Sequence, residues 1–188
     1  MEEDRAQYDR ETEIFWASGA CMFIRSALYH RFGGLDEDFF AHMEEIDLCW
    51  RLKKAGYRIM YTPQSRIYHV GGGTLPKRDP TKTYLNFRNA LYILLKNMPR
   101  TMLWWKFPLR IAIDYLAALS FVVRGDLGDA GAVMKAHLAV ARNGMKLAQK
   151  HTPGGVKLPR MHGYFRGMIL YQYHVLRKRR FSDLGQGI

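Results

Sequence analysis

Cysteine is scarce: the 188 residues contain two, Cys21 and Cys49, far apart and without C-x-x-C spacing. That excludes a disulfide framework or a thiolate zinc site and points to a reducing compartment. A long apolar run is also missing. Met102–Val123 is apolar but broken by Lys106, Pro108, Arg110 and Asp114, and its clean stretches fall far short of the roughly 20 residues a bilayer crossing needs. No transmembrane span is therefore expected. A secretory leader is not expected either, since residues 2–13 hold six acids and almost nothing apolar. These absences together predict a cytoplasmic location. No internal repeat is visible.

What is present is the composition of a folded protein, 48% hydrophobic and 13% aromatic, too rich for disorder. The length suits one domain, or one domain with a helical annex. The net charge of +12 hides an asymmetry: residues 1–75 carry 9 Lys/Arg against 12 Asp/Glu, and residues 76–188 carry 20 against 5. A shift of that size near Pro76 implies different jobs for the two parts.

Hydrophobic periodicity and punctuation organise the chain. Ala20–Ile24 is a short apolar run after a glycine and predicts a buried strand. Ser26–Phe32 predicts a short helix ended by Gly33-Gly34. Met43–Ala55 is the clearest helix, closed by Gly56, with Glu45 on the same arc as Leu48, Cys49 and Leu52. Tyr57–Tyr61 and Arg66–Val70 predict strands joined by a turn at Pro63, followed by the flexible Gly71–Gly73. Thr81–Asn97 and Ala130–Gln149 predict two further helices, and Tyr164–Arg180 a last basic helix.

Several residues have the chemistry for a reaction. A carboxylate on the apolar arc of a helix's first turn, as at Glu45, is poorly hydrated yet favoured in its charged form by the helix end. That suits a general base; equally, Glu44 and Glu45 suit plain capping of the helix start. His69 before three glycines suits one ligand of a metal site, or a hydrogen-bonded structural role. Asp36-Glu37-Asp38 is literally a D-x-D but is expected to face solvent and is assigned no metal. Asp47 and Arg51, one turn apart, predict an ordinary helix pair contributing about 0.5 kcal/mol. Lys77, Lys82 and Arg88 suit contact with a diphosphate or a solvated basic face.

Taken together, W-A-S-G-A-C-M-F-I-R, G-G-L-D-E-D-F-F, E-E-I-D-L-C-W-R-L-K-K-A-G-Y and Y-H-V-G-G-G-T, with Y-L-N-F-R-N after them, resemble the C-terminal half of glycosyltransferase family 2 in order and spacing. The resemblance covers about residues 13–97 and is nearest to bacterial, rhamnosyltransferase-like members that build surface polysaccharides. It implies an α/β fold, with residues 1–97 as the C-terminal, acceptor-side part of a GT-A (Rossmann-like) domain; residues 98–188, beyond the resemblance, are expected from their own charge and pattern to form a helical, basic, membrane-associating extension. It implies inverting transfer of a sugar from a nucleotide-diphosphate donor to a hydroxyl of a glycan or polyprenyl-linked acceptor. Glu45 then falls on the catalytic base, where the family most often has Asp. Glu44 falls on the partner that holds a substrate hydroxyl. Trp16, Ser18, Gly19 and Ala20 line the acceptor pocket, Arg88 is assigned to substrate binding, and His69 completes a Mg²⁺ or Mn²⁺ site. The nucleotide-binding half with its D-x-D would precede residue 1, so this chain by itself is expected to be inactive.

Outside that site, Trp104-Trp105 beside Lys106 and Arg110, then Tyr115 and Phe121, form the aromatic-plus-cation pattern of a helix on anionic lipid. This predicts peripheral attachment to the inner face of the plasma membrane. Two other classes compete. A basic module could bind nucleic acid, though no nucleic-acid motif is present and the carboxylate–histidine part would stay unexplained. An inactive scaffold or membrane adaptor is the third reading.

Overall fold

A computed structural model describes residues 6–69, 79–151 and 155–184. Two short strands, β1 (Thr12–Ile14) and β2 (Ile59–Tyr61), pair antiparallel with Glu13 opposite Met60. Between them run α1 (Ser26–Arg31) and α2 (Glu44–Lys54). Three long helices follow: α3 (Pro80–Asn97), α4 (Arg100–Val123) and α5 (Leu127–Gln149). A short helix, α6 (Ile169–His174), lies in the C-terminal segment.

Local signals explain most of these elements. Asp79 caps α3 by accepting from the Thr81 backbone N–H at 2.8 Å, and Pro80 occupies the first helical position. After α1 the chain turns through Gly33 and Gly34, both left-handed; a Cβ on Gly34 would come within 2.8 Å of the Tyr29 ring. The α5 helix lies closest along α3. Gly144 admits Leu95 there, and Gly128 admits Pro80.

The core joins both parts of the chain. Phe39, Trp50, Leu91, Tyr92, Val140 and Leu147 form it together with Leu158 and Met161 from beyond α5. Residues 155–164 fold back over α2. There the Val156 N–H donates to the Lys54 carbonyl, and Lys53 bridges Glu13 and the His162 carbonyl at 2.6 and 3.0 Å. The Phe15 ring meets Trp50 edge-on at 5.4 Å. The 97/98 division falls in the turn between α3 and α4, while α3 packs mainly on α5.

Several expectations need correction. The α/β character is confined to a two-stranded ribbon among the described residues, which are otherwise mostly helical. Residues 20–24 are not a strand: Gly19–Cys21 is a 3₁₀ turn and Phe23 is exposed. Among the described residues no strand pairs with this apolar run, and an isolated strand leaves its backbone groups to water. Arg66–His69 is irregular, and Val70 to Gly73 lie outside the described residues, as does Lys77. The Met102–Val123 stretch is one continuous helix through Pro108, and no helix among the described residues is long and apolar enough to cross a membrane. The Tyr164–Arg180 helix shrinks to α6. Most of that segment is exposed, so tertiary packing gives a longer helix no support.

Candidate functional site

The first turn of α2 is delivered by an unusual loop. Phe40, His42 and Met43 all have left-handed backbone angles, with φ of 64°, 67° and 73°. For residues with a Cβ this conformation is disfavoured by roughly 1–2 kcal/mol each, and such clusters persist only where the surroundings hold them. Here α3 does so. The Asn89 side chain is fully buried, and its Nδ2 donates to the carbonyls of Phe39, Ala41 and His42 at 3.0, 2.7 and 2.7 Å. Arg88 donates to the carbonyls of Asp38 and Phe39 at 3.2 and 2.7 Å, with its guanidinium over the Tyr84 and Tyr92 rings.

Beneath the loop lies a buried ionic cluster. Asp47, wholly buried, accepts from Arg51, Lys96 and Asn97 at 2.8, 2.9 and 2.7 Å. Arg51 also donates to the Phe32 and Gly34 carbonyls, tying down the end of α1. Lys96 reaches Asp36 at 2.6 Å, and Lys150 bridges Asp36 and Asp38 at 2.8 and 2.5 Å. Burial acts to raise the Asp36 carboxyl, but the hydrogen bonds from Lys150 and Lys96 prevail and hold it well below the usual carboxylate range. Hydrogen bonds from Lys146 and Lys150 lower Asp38 as well. Two sequence expectations are thereby corrected. Asp36 and Asp38 are half-buried and engaged by lysines instead of facing solvent freely, and Asp47–Arg51 belongs to a buried network, not to a surface pair.

On this frame sit Glu44 and Glu45. Both residues are half-buried, yet the Oε2 atom of each is shut off from solvent without a hydrogen-bond partner among the described residues. The same holds for His42 Nε2. Buried polar atoms are ordinarily paired. Two carboxylate oxygens and an imidazole nitrogen near one helix start are thus each without a described partner, and a hydroxyl donor reaching either carboxylate oxygen would satisfy it.

The other expected site residues divide. Ala17 lies beside this helix face, because the Cys49 thiol, one turn beyond Glu45, meets the Ala17 backbone. Burial pushes that thiol up, the Ala17 contact opposes the rise, and the Glu45 charge adds to it. Trp16, Ser18, Gly19 and Ala20 are thus on an exposed turn adjoining α2, with Ser18 Oγ accepting from the Ala20 N–H at 3.3 Å. Arg88 is braced against the loop carbonyls. His69 is exposed and makes no hydrogen bond to a described residue. Among the described residues no three His, Cys, Asp or Glu side chains converge as a metal site. His69 could supply one ligand; these residues do not form a divalent-cation site by themselves. Sequence reasoning missed His42 and Asn89. The signal for Asn89 was available in Y-L-N-F-R-N, but its targets lie about fifty residues away.

Parts of the chain are similar in sequence to known proteins. N-acetylglucosaminyl-diphospho-decaprenol L-rhamnosyltransferase of Mycobacterium tuberculosis is 35% identical over 100 residues, 53% of this chain and 32% of that protein. Rhamnosyltransferase WbbL of Escherichia coli is 37% identical over 59 residues, 31% of this chain and 22% of that protein. The pre-mycofactocin glycosyltransferase of Mycobacterium tuberculosis is 36% identical over 56 residues, covering 30% and 12%. The matched regions thus span about a third or less of these relatives. No solved structure matches. Residues 1–102, more than half of the chain, match the family described as glycosyltransferase like family 2, and the chain belongs to that family.

Proposed function

We propose that this chain forms the acceptor side of an inverting sugar transferase acting in glycan synthesis, with Glu45 as the catalytic base. The observation that carries the reading is the pair of buried, unpartnered carboxylate oxygens in the first turn of α2, just behind a loop held under strain. The acceptor hydroxyl gives its proton to Glu45 Oε2. The oxygen then attacks the anomeric carbon of a nucleotide-diphosphate sugar as the bond to the diphosphate breaks on the opposite face. Glu44 accepts a hydrogen bond from a second substrate hydroxyl, and the turn at Trp16 and Ser18–Ala20 borders the acceptor. A divalent cation, Mg²⁺ or Mn²⁺, would supply charge for the leaving diphosphate, and His69 is the residue proposed to face it.

The acceptor proposed is a polyprenyl-diphosphate-linked glycan, by analogy with the decaprenol-linked substrate in the name of the mycobacterial relative. Such an acceptor is held in a membrane, and the basic C-terminal part is proposed to attach peripherally to the anionic cytoplasmic face. Part of its positive charge is engaged internally, since Lys96, Lys146 and Lys150 pair with Asp36, Asp38 and Asp47. This weakens a general nucleic-acid-binding reading.

The test is Glu45→Gln in the chain completed by a nucleotide-binding half. A general base contributes about 10²–10⁴-fold, so turnover should fall with a barrier increase of about 3–5 kcal/mol. Near-normal turnover in that variant would overturn the assignment.

A further inference from the structure

The α4 helix packs Met102, Leu103, Phe107 and Ile111 on the core, and turns charges the same way. Lys106, Arg110 and Asp114 recur every fourth position and so share one face. That face points into the protein. Lys106 Nζ donates to the Tyr164 hydroxyl at 2.9 Å, and Arg110 Nε donates to Asp114 at 2.6 Å. Asp114 is buried and meets His137 of α5 at 3.2 Å. The opposite face carries Trp104, Trp105, Tyr115, Leu116, Leu119 and Val123, all exposed, with Trp104 at 74% and Val123 at 80%. No Asp, Glu, Lys or Arg interrupts this stripe, which runs for roughly 30 Å at 1.5 Å per residue.

The neighbouring helix extends the same surface. Tyr115 packs edge-on against His137, and the residues of α5 just outside that contact, Met134, Leu138 and Met145, are exposed and apolar. Beyond them on the helix come Lys135 and Arg142, also exposed. The apolar face thus has a cationic border. Exposed apolar area on this scale marks an interaction surface.

We infer that the exposed face of the α4–α5 hairpin lies in the interfacial layer of an anionic bilayer, its apolar side chains among the acyl chains and Lys135 and Arg142 among the headgroups. The charge pattern selects lipid over a second copy of the chain. Two copies meeting through this face would bring like-charged borders together, whereas anionic headgroups complement them. Pro108 agrees with a shallow position: it leaves the Trp104 carbonyl without its helical donor, and a tryptophan with an open carbonyl is at home at headgroup depth. This inference deepens the membrane attachment proposed above and rests on it, but it differs in kind. Adsorption by charge alone is reversed by salt; insertion of this face is not.

The full chain is floated with vesicles of phosphatidylcholine, with and without phosphatidylglycerol, at low salt and at about 0.5 M NaCl. Expected results are binding to the anionic vesicles, partial retention at high salt, and a blue shift of tryptophan emission. Leu116→Glu with Leu119→Glu should weaken binding about tenfold or more at both salts without moving the unfolding midpoint, since both sites are exposed. Lys135→Glu with Arg142→Glu should weaken it at low salt. Native-like, fully salt-released binding by the leucine double variant overturns the insertion and leaves charge adsorption standing. No binding at low salt overturns both. A dimer in solution that these leucine substitutions dissociate assigns the face to a second copy and overturns the inference.

Discussion

Replacing Asn89 by Asp is nearly isosteric, yet it should release the loop that carries the candidate base. The native amide has two N–H groups shared among three carbonyls at 2.7–3.0 Å, in a site with no solvent exposure. The variant puts an acceptor oxygen in their place. Leaving a buried carbonyl unsatisfied costs about 1–3 kcal/mol, so two lost bonds amount to about 4 kcal/mol. The three left-handed residues Phe40, His42 and Met43 oppose the native loop by a similar sum, roughly 3–6 kcal/mol. Arg88, the burial of Phe39 and the lysine pairs at Asp36 and Asp38 would be left to hold it. Urea unfolding followed by circular dichroism should show a loss of about 4 kcal/mol. Hydrogen exchange should rise over residues 38–46 while α5 stays protected, because that loop opens below the global transition. A loss of less than about 1 kcal/mol with unchanged exchange over this segment would refute the view that α3 clamps the site.

Other outcomes follow from the ionic cluster. Lys96→Met removes a cation bonded to both Asp36 and Asp47; breaking a buried pair from one side should destabilise by about 3–5 kcal/mol. Combining it with Asp47→Asn in a double-mutant cycle should recover part of that loss. Asp36 and Asp38 are both depressed below 3.8 in the folded protein, so their contribution is complete above that pH and lost as pH falls toward the folded values. Acid titration of the urea midpoint should show this, and Asp36→Asn should flatten the curve. Lys54 behaves oppositely. Burial, helped by the Lys96 charge and opposed by Asp47, lowers it from 10.5 to about 8. The unfolded chain then binds more protons between those values, so this group's contribution to stability rises with pH across that window, by on the order of 3 kcal/mol. Urea midpoints from about pH 7 to 10, compared with Lys54→Met, measure it.

What could be read in advance was what is encoded locally. The α2, α3 and α5 helices announce themselves through periodicity, with Gly56 closing α2, while the start of α3 at Pro80 behind the Asp79 cap came from the structure. The GT-A architecture follows from the family, not from the two short strands, whose pairing of Thr12 with Tyr61 joins segments far apart in sequence. The acid loop was misjudged for the same reason: its partners Lys96 and Lys150 lie 60 and 114 residues from Asp36. Nothing in D-E-D itself distinguishes a buried cluster from a solvated one. The α4 helix is a different case. The four-residue spacing of Lys106, Arg110 and Asp114 already gathered its charges on one face, but interruption of an apolar run hid that pattern. Glu45 was legible as a carboxylate on an apolar arc; that its buried Oε2 lacks a described partner needed the folded structure.

The matched family segment stops at residue 102, but the frame under Glu44 and Glu45 does not. Lys146 and Lys150 grip the preceding loop from the last turns of α5, and Leu158 and Met161 close over the α2 core. A protein trimmed to the family border would keep every motif residue and lose their keystone.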